Sequence, residues 1–270
     1  PEVLASADYV VLPYLGSSID DDVAISRMTN VQVIQTITAG FNHVAPHVPA
    51  NVTLCNVSSV HDVATSEMAV LLALSALREL PRSVHAQERH EWDQFFSQSL
   101  WNKSVLLIGY GDVGKATYRR LEGFDCQIIP VATRARDGVR GIDELDELLP
   151  GADVVILTVP LNDSTYHLLG ADQLALMKNG ALLVNVARGA VVDTDALLVE
   201  LNAGRLRAAM DVTDPEPLPA THPLWEAKNT LIVAHLGGDT DAFAPRARVR
   251  IQSQWDLWLS GKPLECVVAH

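Results

Sequence analysis

Short apolar runs alternate with segments of helical periodicity over most of this chain. Apolar runs of strand length predict strands at 8–12, 31–36, 52–57, 104–108, 126–131, 153–159, 181–186, 208–212 and 231–234. The pattern predicts helices at 20–28, 58–80, 142–149, 170–177, 193–202 and 240–259, and one more that follows the glycines after strand 104–108 and runs through residue 121. Strands that alternate with helices predict βα units and a parallel sheet, so the fold class is α/β. From 104 to 238 the pattern predicts a doubly wound fold.

The segment from Ser58 to Leu80 is the longest apolar helix of this pattern, and Pro81 is expected to close it. A helix that is this apolar is expected to be buried on more than one side, at a domain junction or a dimer contact. The polar stretch 82–101, with scattered aromatic residues, predicts a helix and a connecting arm.

Three glycines follow the apolar run 104–108 and precede a helical sequence. Gly109, Gly111 and Gly114 have the G-x-G-x-x-G spacing, with Tyr110, Asp112 and Val113 between them. In this motif the glycines allow a tight turn, a close approach of backbone to a pyrophosphate, and close packing of helix on strand. The helix N-terminus offers unpaired N–H groups to the phosphates. The strand before the glycines and the helix after them favour a dinucleotide site over a plain turn.

Composition narrows the class of protein. The chain has 270 residues, of which 48% are hydrophobic, and a net charge of −13. The apolar content supports a sizeable core, and the acidic balance argues against nucleic acid or an anionic membrane surface as a partner. No apolar run reaches the length of a membrane span, and the N-terminus lacks the pattern of a signal peptide. The cysteines are far apart and lack metal spacing, so we expect reduced packing residues, no metal site and a cytoplasmic protein.

The strand 126–131 bears on the choice of cofactor. An NAD site normally ends its second strand with an acidic residue that holds the ribose 2′-hydroxyl. This strand is followed instead by Thr133, Arg134 and Arg136, and Asp125 precedes it. Guanidinium groups suit a 2′-phosphate, which predicts NADP as the cofactor, with NAD as the alternative. The competing interpretation is a solvated turn in which Arg136 pairs with Asp137.

Three further loops follow predicted strands and are expected to meet at one edge of the sheet. The first carries Arg188, which can grip a carboxylate with two hydrogen bonds. The second carries Glu216 between two prolines, and the third carries His235, the side chain best suited to proton exchange near neutral pH. Taken singly, each residue also fits a structural role: Arg188 a surface ion pair, Glu216 a turn, and His235 a packing position.

The order and spacing of these motifs resemble the D-isomer-specific 2-hydroxyacid dehydrogenase family, in the glyoxylate/hydroxypyruvate reductase direction. The resemblance rests on the glycine turn 109–114, on 186–189 (VARG), on 211–212 (DV) with 215–218 (PEPL), and on 235–238 (HLGG). Further matches are Ala39-Gly40 with Asn42, Thr65-Ser66-Glu67 and Val159-Pro160-Leu161.

The resemblance implies roles for the three loops. Arg188 would bind the carboxylate and the carbonyl oxygen of a 2-keto acid, and His235 would donate a proton to that oxygen. Glu216 would hydrogen-bond His235, favour its charged form and fix the ring. Backbone at Ala39 and Gly40 would also hold the carboxylate.

The same resemblance implies the remaining site residues. Tyr14 and Leu15 would line the pocket for the substrate side chain, and Asp211 would lie near the nicotinamide. The other implied cofactor contacts, besides the glycine turn and the arginine loop, are Thr65, Val159, Pro160, Ala187 and Gly237.

The implied architecture is two doubly wound parallel-sheet domains, a Rossmann cofactor domain and a flavodoxin-like substrate domain. Residues 1–58 and 240–270 would form the substrate domain, and 59–239 the dinucleotide-binding domain. The family begins with a further strand and helix of about 30 residues, so we expect this substrate domain to be truncated. A homodimer through the helix 60–80 and the arm 82–101 is also implied.

Three functions remain open at this point. The first is reduction of a small 2-keto acid with NADPH. The second is NAD-linked oxidation of a D-2-hydroxy acid such as phosphoglycerate, against which the surroundings of Tyr14 and Ala39 offer no basic cluster. The third is a non-catalytic, nucleotide-sensing protein like the corepressors of the family, which the set of Arg188, Glu216 and His235 disfavours.

Overall fold

The computed structural model describes residues 2–14, 25–41 and 44–268. The strands are β1 (Tyr9–Val11), β2 (Val33–Gln35), β3 (Thr53–Cys55), β4 (Ser104–Ile108), β5 (Gln127–Ala132), β6 (Arg140–Gly141), β7 (Val154–Leu157), β8 (Leu182–Asn185), β9 (Arg207–Met210), β10 (Thr230–Ile232) and β11 (Val267–Val268). The α-helices are α1 (Glu2–Ser6), α2 (Asp62–Leu77), α3 (Leu80–Glu88), α4 (Asp112–Leu121), α5 (Leu145–Leu148), α6 (Ala171–Leu176), α7 (Thr194–Asn202) and α8 (Phe243–Leu259).

The chain divides into two compact units. The larger unit is Asp62–Thr240, and the smaller unit is Pro1–His61 together with Asp241–His270.

The larger unit contains a seven-stranded sheet in the order β10-β9-β8-β7-β4-β5-β6. Every neighbouring pair in it is parallel. The chain leaves β4 toward β5 and β6 on one side and then returns to build β7 to β10 on the other. The order therefore reverses at β4, where ligands bind in sheets of this type. This confirms the predicted α/β fold with a doubly wound sheet.

Both faces of this sheet are covered, as the apolar character of its strands requires. Leu106 and Ile108 of β4 belong to the core beneath α6 and α7, whereas Val105 and Leu107 belong to the core beneath α2 and α4. All four side chains have no exposed surface. Alternate residues of one strand thus pack into two separate cores.

The long helix predicted for 58–80 is shorter in the structure. Helix α2 ends at Leu77, and Glu79 adopts a left-handed conformation with φ of 51°. Pro81 then stands in the first turn of α3 and does not close the preceding helix. A proline is tolerated there because the N–H groups of a first helical turn have no partner within the helix.

The smaller unit has a four-stranded sheet in the order β1-β2-β3-β11. The first three strands are parallel, and β11, which the hydrophobic pattern does not predict, pairs with β3 in the antiparallel direction. The predicted helix 20–28 lies largely outside the described residues. In the part of the chain that the structure describes, no helix has the length and apolar character needed to cross a bilayer.

Candidate active site

The glycine turn after β4 leaves no room for side chains at two of its three glycines. Gly109 has φ of +104°, and a Cβ placed on it would lie 2.7 Å from Thr158 Oγ1 and 2.8 Å from the Thr158 carbonyl carbon. A Cβ on Gly114 would lie 2.0 Å from the carbonyl oxygen of Gly109. Nothing lies within 4 Å of the same position on Gly111, which precedes the first turn of α4. The turn is therefore closed toward the protein and open at Gly111, which fits the pyrophosphate of a dinucleotide.

Thr158 is a residue of this turn that sequence analysis missed. It follows β7, and its hydroxyl donates a hydrogen bond to the carbonyl oxygen of Gly109 over 2.9 Å. The available signal was its place at the carboxyl end of the strand beside the predicted Val159. Val159 is half-buried and Pro160 is exposed at that same strand end.

The loop after β5 places its two arginines in solvent. Thr133, Arg134 and Arg136 are all exposed. The Arg136 guanidinium lies 5.7 Å from the centroid of the Tyr110 ring, so the structure brings two predicted cofactor residues together. Within residues 2–14, 25–41 and 44–268, neither guanidinium pairs with a carboxylate. Pairing of Arg136 with Asp137 is therefore not observed, and both charges remain available to an anion.

The loop after β8 is fixed by the last residue of the strand. Asn185 is 1% exposed, its Oδ1 accepts from the N–H of Ala187, and its Nδ2 donates to the carbonyl oxygen of Arg188, both over 3.0 Å. Sequence analysis did not assign this asparagine a role. The sequence offered one indication of this role, a polar amide at the end of an otherwise apolar strand, where a buried polar group needs hydrogen-bond partners.

Arg188 is half-buried, and its Nη1 donates to the carbonyl oxygen of Ala187 over 2.6 Å. Burial lowers the pKa of the guanidinium, and the negative charges of Glu216 and Asp211 oppose that change. An arginine stays protonated despite such a change, so Arg188 presents a poorly solvated positive charge. Such a charge binds a carboxylate strongly.

His235 and Glu216 form a hydrogen-bonded pair. His235 Nδ1 lies 2.5 Å from Glu216 Oε1, and the two side chains are 36% and 39% exposed. An ionised carboxylate only accepts hydrogen bonds, so the proton of this bond belongs to Nδ1. The imidazole Nε2 is then left to act on a ligand. The pair can therefore hold a proton donor in one orientation at the surface of the site.

Asp211 holds the backbone of the His235 loop. Its carbonyl oxygen accepts from the N–H of His235 over 2.7 Å. Its carboxylate Oδ1 accepts from the N–H groups of Leu236 over 2.7 Å and Gly237 over 3.1 Å. Burial raises the pKa of this carboxyl group, which is 2% exposed, and the two backbone donors and His235 act in the opposite direction. His235 has φ of +54°, a conformation that this anchorage sustains.

Two close approaches join these loops. A Cβ on Gly237 would lie 2.6 Å from Asp211 Oδ2 and 3.5 Å from Thr65 Cγ2, so the predicted Thr65 and Gly237 are neighbours. A Cβ on Gly189 would lie 1.9 Å from the carbonyl oxygen of Thr213. The Arg188 loop therefore lies directly against the loop that carries Glu216. The peptide bonds before Pro215 and Pro217 in that loop are cis.

The predicted substrate residues of the smaller unit lie in two places. The Tyr14 hydroxyl is 3.5 Å from His61 Nε2, and the Tyr14 ring centroid is 4.3 Å from that of Phe243. Ala39 and Gly40 follow β2, and Leu15 lies outside the described residues. Among the described residues, no group of histidines, cysteines and carboxylates has the arrangement of a metal site.

Comparison with known proteins gives a family for this arrangement. The model of the D-isomer specific 2-hydroxyacid dehydrogenase NAD binding domain matches residues 70–237. The chain is 33% identical to a glyoxylate reductase from Thermofilum pendens, over 85% of this chain and 72% of that protein. It is 31% identical to a D-3-phosphoglycerate dehydrogenase from Methanocaldococcus jannaschii, over 99% of this chain and 52% of that protein. The chain thus spans about half the length of the second relative.

A solved structure matches nearly the whole chain. It is an NADPH-dependent glyoxylate/hydroxypyruvate reductase from Sinorhizobium meliloti in complex with NADP and sulfate, with a TM-score of 0.84 and 25% identity. The match covers 97% of this chain and 85% of that one. With the matched domain, the glycine turn and the loops of Arg188, Glu216 and His235 in place, the chain belongs to the D-isomer specific 2-hydroxyacid dehydrogenase family.

Proposed function

We propose that this protein reduces a small 2-keto acid, of the glyoxylate or hydroxypyruvate type, to a D-2-hydroxy acid with NADPH. The observation that carries the proposal is the His235–Glu216 pair, 2.5 Å apart. Its two residues follow β10 and β9 in the same sheet that presents Arg188 after β8. The printed functions of the Thermofilum and Sinorhizobium proteins support the same reaction.

In this proposal each loop has one task. The Arg188 guanidinium binds the substrate carboxylate and polarises the carbonyl oxygen. His235 Nε2 donates a proton to that oxygen, and Glu216 keeps the ring oriented through Nδ1. The cofactor, when bound, supplies the hydride that the carbonyl carbon receives. Hydride and proton together convert the keto group to a hydroxyl group.

The cofactor would lie along residues that the larger unit gathers at the carboxyl ends of its strands. The glycine turn holds the pyrophosphate, and the loop after β5 holds the adenosine ribose. The remaining proposed contacts are Thr65, Val159, Pro160, Ala187, Asp211 and Gly237.

A panel of 2-keto acids tests the reaction itself. We expect glyoxylate or hydroxypyruvate to accelerate the oxidation of NADPH, followed as loss of its absorbance. The relative from Methanocaldococcus raises phosphoglycerate as a second substrate. Residues 2–14 and 36–41, around Tyr14 and Ala39, contain no lysine or arginine for its phosphate. Turnover of phosphoglycerate in preference to every small keto acid would contradict the proposal, and absence of turnover would favour a nucleotide-sensing protein.

We expect removal of both Arg134 and Arg136 to shift the cofactor preference. Charge-assisted hydrogen bonds to a 2′-phosphate are worth about 1.5–3 kcal/mol, so the double alanine variant should raise KM for NADPH about 10- to 100-fold. KM for NADH should change less than about twofold, because NADH lacks that phosphate. Initial rates with both cofactors check this, and Arg119→Ala, an exposed arginine on α4, is the control. Equal use of NADH by the unaltered protein would contradict the choice of NADP.

We further propose a cytoplasmic homodimer. Residues 89–103 between α3 and β4 carry Trp92 and Phe96, which are 95% and 102% exposed. The segment is nevertheless held in place, because Arg82 donates two hydrogen bonds to Asp93, over 2.6 and 2.9 Å. Large apolar side chains presented on a fixed segment are typical of a surface that a partner covers. The three cysteines form no disulfide, which suits a reducing compartment.

The oligomeric state tests this surface. We expect the protein to sediment as a dimer and the variant Trp92→Ser/Phe96→Ser to sediment as a monomer at the same concentration. Trp225→Ser, which alters a 50% exposed tryptophan elsewhere on the larger unit, should leave the dimer intact. An unaltered protein that sediments as a monomer would contradict the proposal.

A further inference from the structure

The segment that carries Glu216 is exposed, although it begins at a buried residue. Pro215, Glu216 and Pro217 are all exposed, whereas Thr213 is 9% exposed. The two prolines have no N–H, so the segment cannot be held through hydrogen bonds donated at those positions. The carbonyl groups that precede Glu216 are instead the points at which it is held.

Two consecutive peptide groups lead into Glu216, and a threonine hydroxyl holds each of them. Thr194 Oγ1 donates to the carbonyl oxygen of Asp214 over 3.1 Å. Thr213 Oγ1 donates to the carbonyl oxygen of Pro215 over 3.0 Å. The second of these carbonyl groups belongs to the peptide group that carries the N–H of Glu216. The two bonds therefore fix the peptide planes up to the Cα atom of Glu216.

Both threonines are supplied from backbone that other contacts of the larger unit hold. Thr194 begins α7 directly after Asp193, whose N–H donates to the carbonyl oxygen of Leu169 over 3.0 Å. The carbonyl group of Thr213 lies against Gly189, where an added Cβ would be 1.9 Å from its oxygen. Each hydroxyl can thus hold the segment from a fixed position.

We propose that Thr194 and Thr213 are positioning residues for the carboxylate of Glu216. By fixing the backbone before Glu216, they hold its Oε1 at 2.5 Å from His235 Nδ1. The orientation of the imidazole then sets the direction in which Nε2 presents its proton. The inference rests on the proposed function, in which His235 is the proton donor.

A purely structural role for these hydroxyls is the competing interpretation, since a buried hydroxyl needs a partner. The acceptor of the Thr213 bond, however, belongs to the exposed Pro215, so water can reach that carbonyl oxygen once the hydroxyl is removed. Loss of the bond then frees the segment without leaving a buried group unpaired. The expected consequence is loss of orientation, with little loss of stability.

The two threonines allow matched substitutions. Thr213→Val and Thr194→Val remove the hydroxyl and keep the shape of the side chain, whereas the corresponding serine variants keep the hydroxyl. Thr230 supplies a control in the same unit, because its Oγ1 donates over 3.1 Å to the carbonyl oxygen of Lys228, which is also two residues away. Thr230 begins β10, whereas His235 follows the other end of that strand. Thr230→Val therefore removes the same kind of bond outside the candidate site.

We expect Thr213→Val to lower kcat for keto-acid reduction about 10- to 100-fold, because a small misplacement of a reacting group is costly. Thr194→Val should lower kcat about threefold or more, since it frees the peptide group one residue farther from Glu216. KM for the keto acid and the Kd of NADPH should change less than about twofold, because the loss concerns proton transfer. The serine variants and Thr230→Val should stay within about twofold of the unaltered protein in all three constants. A purely structural role would lower the melting temperature without this selective loss of kcat.

A double-mutant cycle shows whether the effect passes through Glu216. Glu216→Ala should lower kcat by at least as much as Thr213→Val. Addition of Thr213→Val to Glu216→Ala should then change kcat less than about twofold, because no carboxylate is left to aim. Equal losses of kcat with and without the Glu216 carboxylate would overturn the inference.

The outcomes separate this inference from the proposed function. An unaltered protein that reduces no 2-keto acid overturns both. An active protein in which Thr213→Val has the same kcat as Thr213→Ser overturns the inference alone. If Thr213→Val does not fold, Thr194→Val takes its place in the same cycle. If Glu216→Ala is too slow to measure, the comparison of valine with serine variants and the split between kcat and KM decide.

Discussion

We expect replacement of His235 by alanine to lower kcat for the proposed keto-acid reduction by about 100- to 10,000-fold, the range that a positioned general acid contributes. The reason is that Nε2 is the donor left once Nδ1 is bound to Glu216 Oε1 at 2.5 Å. The Kd of NADPH stays within about twofold, since the loss concerns proton transfer. Steady-state rates with glyoxylate and NADPH, together with cofactor binding by fluorescence, measure the two effects separately.

The chain offers a control with the same chemistry. His85 Nδ1 lies 3.1 Å from Glu88 Oε2 in an exposed pair on α3, so His85→Ala removes a histidine–glutamate contact outside the candidate site. Its rates should match those of the unaltered protein. Arg188→Ala should also lower the rate of keto-acid reduction, because it removes the guanidinium proposed to bind the substrate carboxylate. Arg188→Lys should recover little of that rate, because a lysine cannot form the two parallel hydrogen bonds of a guanidinium. Full activity of both His235→Ala and Arg188→Ala would show that the site is assigned to the wrong residues.

Substitution of Gly189 by alanine is expected to destabilise the protein by about 1–3 kcal/mol or more, as overpacking of a fixed contact does. The new methyl group would lie 1.9 Å from the carbonyl oxygen and 2.0 Å from the carbonyl carbon of Thr213. Both are backbone atoms, which cannot rotate away as the end of a side chain can. The loops of Arg188 and Glu216 must therefore separate, and kcat/KM should fall together with the stability. Denaturant unfolding and steady-state kinetics measure the two.

Gly151→Ala is the matched control for this substitution. Gly151 also belongs to a short 3-10 turn, its φ is not positive, and nothing lies within 4 Å of the added Cβ. We expect its free energy of unfolding and its kcat/KM to stay close to those of the unaltered protein. A Gly189→Ala variant as stable and as active as Gly151→Ala would refute the idea that this contact holds the two loops together.

The central strands of the larger sheet are predictable from the sequence because they are buried on both faces, whereas β6, an edge strand of two residues, is not predicted. A strand such as β4 is then an unbroken apolar run, which identifies it as a strand without any knowledge of the neighbouring strands. The boundary at Leu77 is not predictable in the same way, since it depends on the left-handed conformation of Glu79. Strand β11 has two residues, one exposed and one half-buried, and only its pairing with β3 defines it.

The candidate site likewise contains some residues that the sequence identifies and others that only the folded structure identifies. Arg188, Glu216 and His235 are recognisable because their side chains carry the chemistry that the proposed reduction of a keto acid needs. Asn185 and Thr158 act through bonds to backbone atoms that lie next to them only in the folded chain. The constraint on Gly189 likewise comes from Thr213, a residue of a different loop. The chemical type of a side chain can be identified from the sequence, whereas the space available to a Cβ is a property of the fold.

Asp211 accepts the backbone hydrogen bonds that hold the loop of His235. Three consecutive amides, those of His235, Leu236 and Gly237, all donate to this one residue. Because all three acceptors belong to one residue, we expect these amides to exchange with solvent together, in a single opening event. Hydrogen exchange of these three amides at one common rate would then report the opening of the His235 loop as a unit.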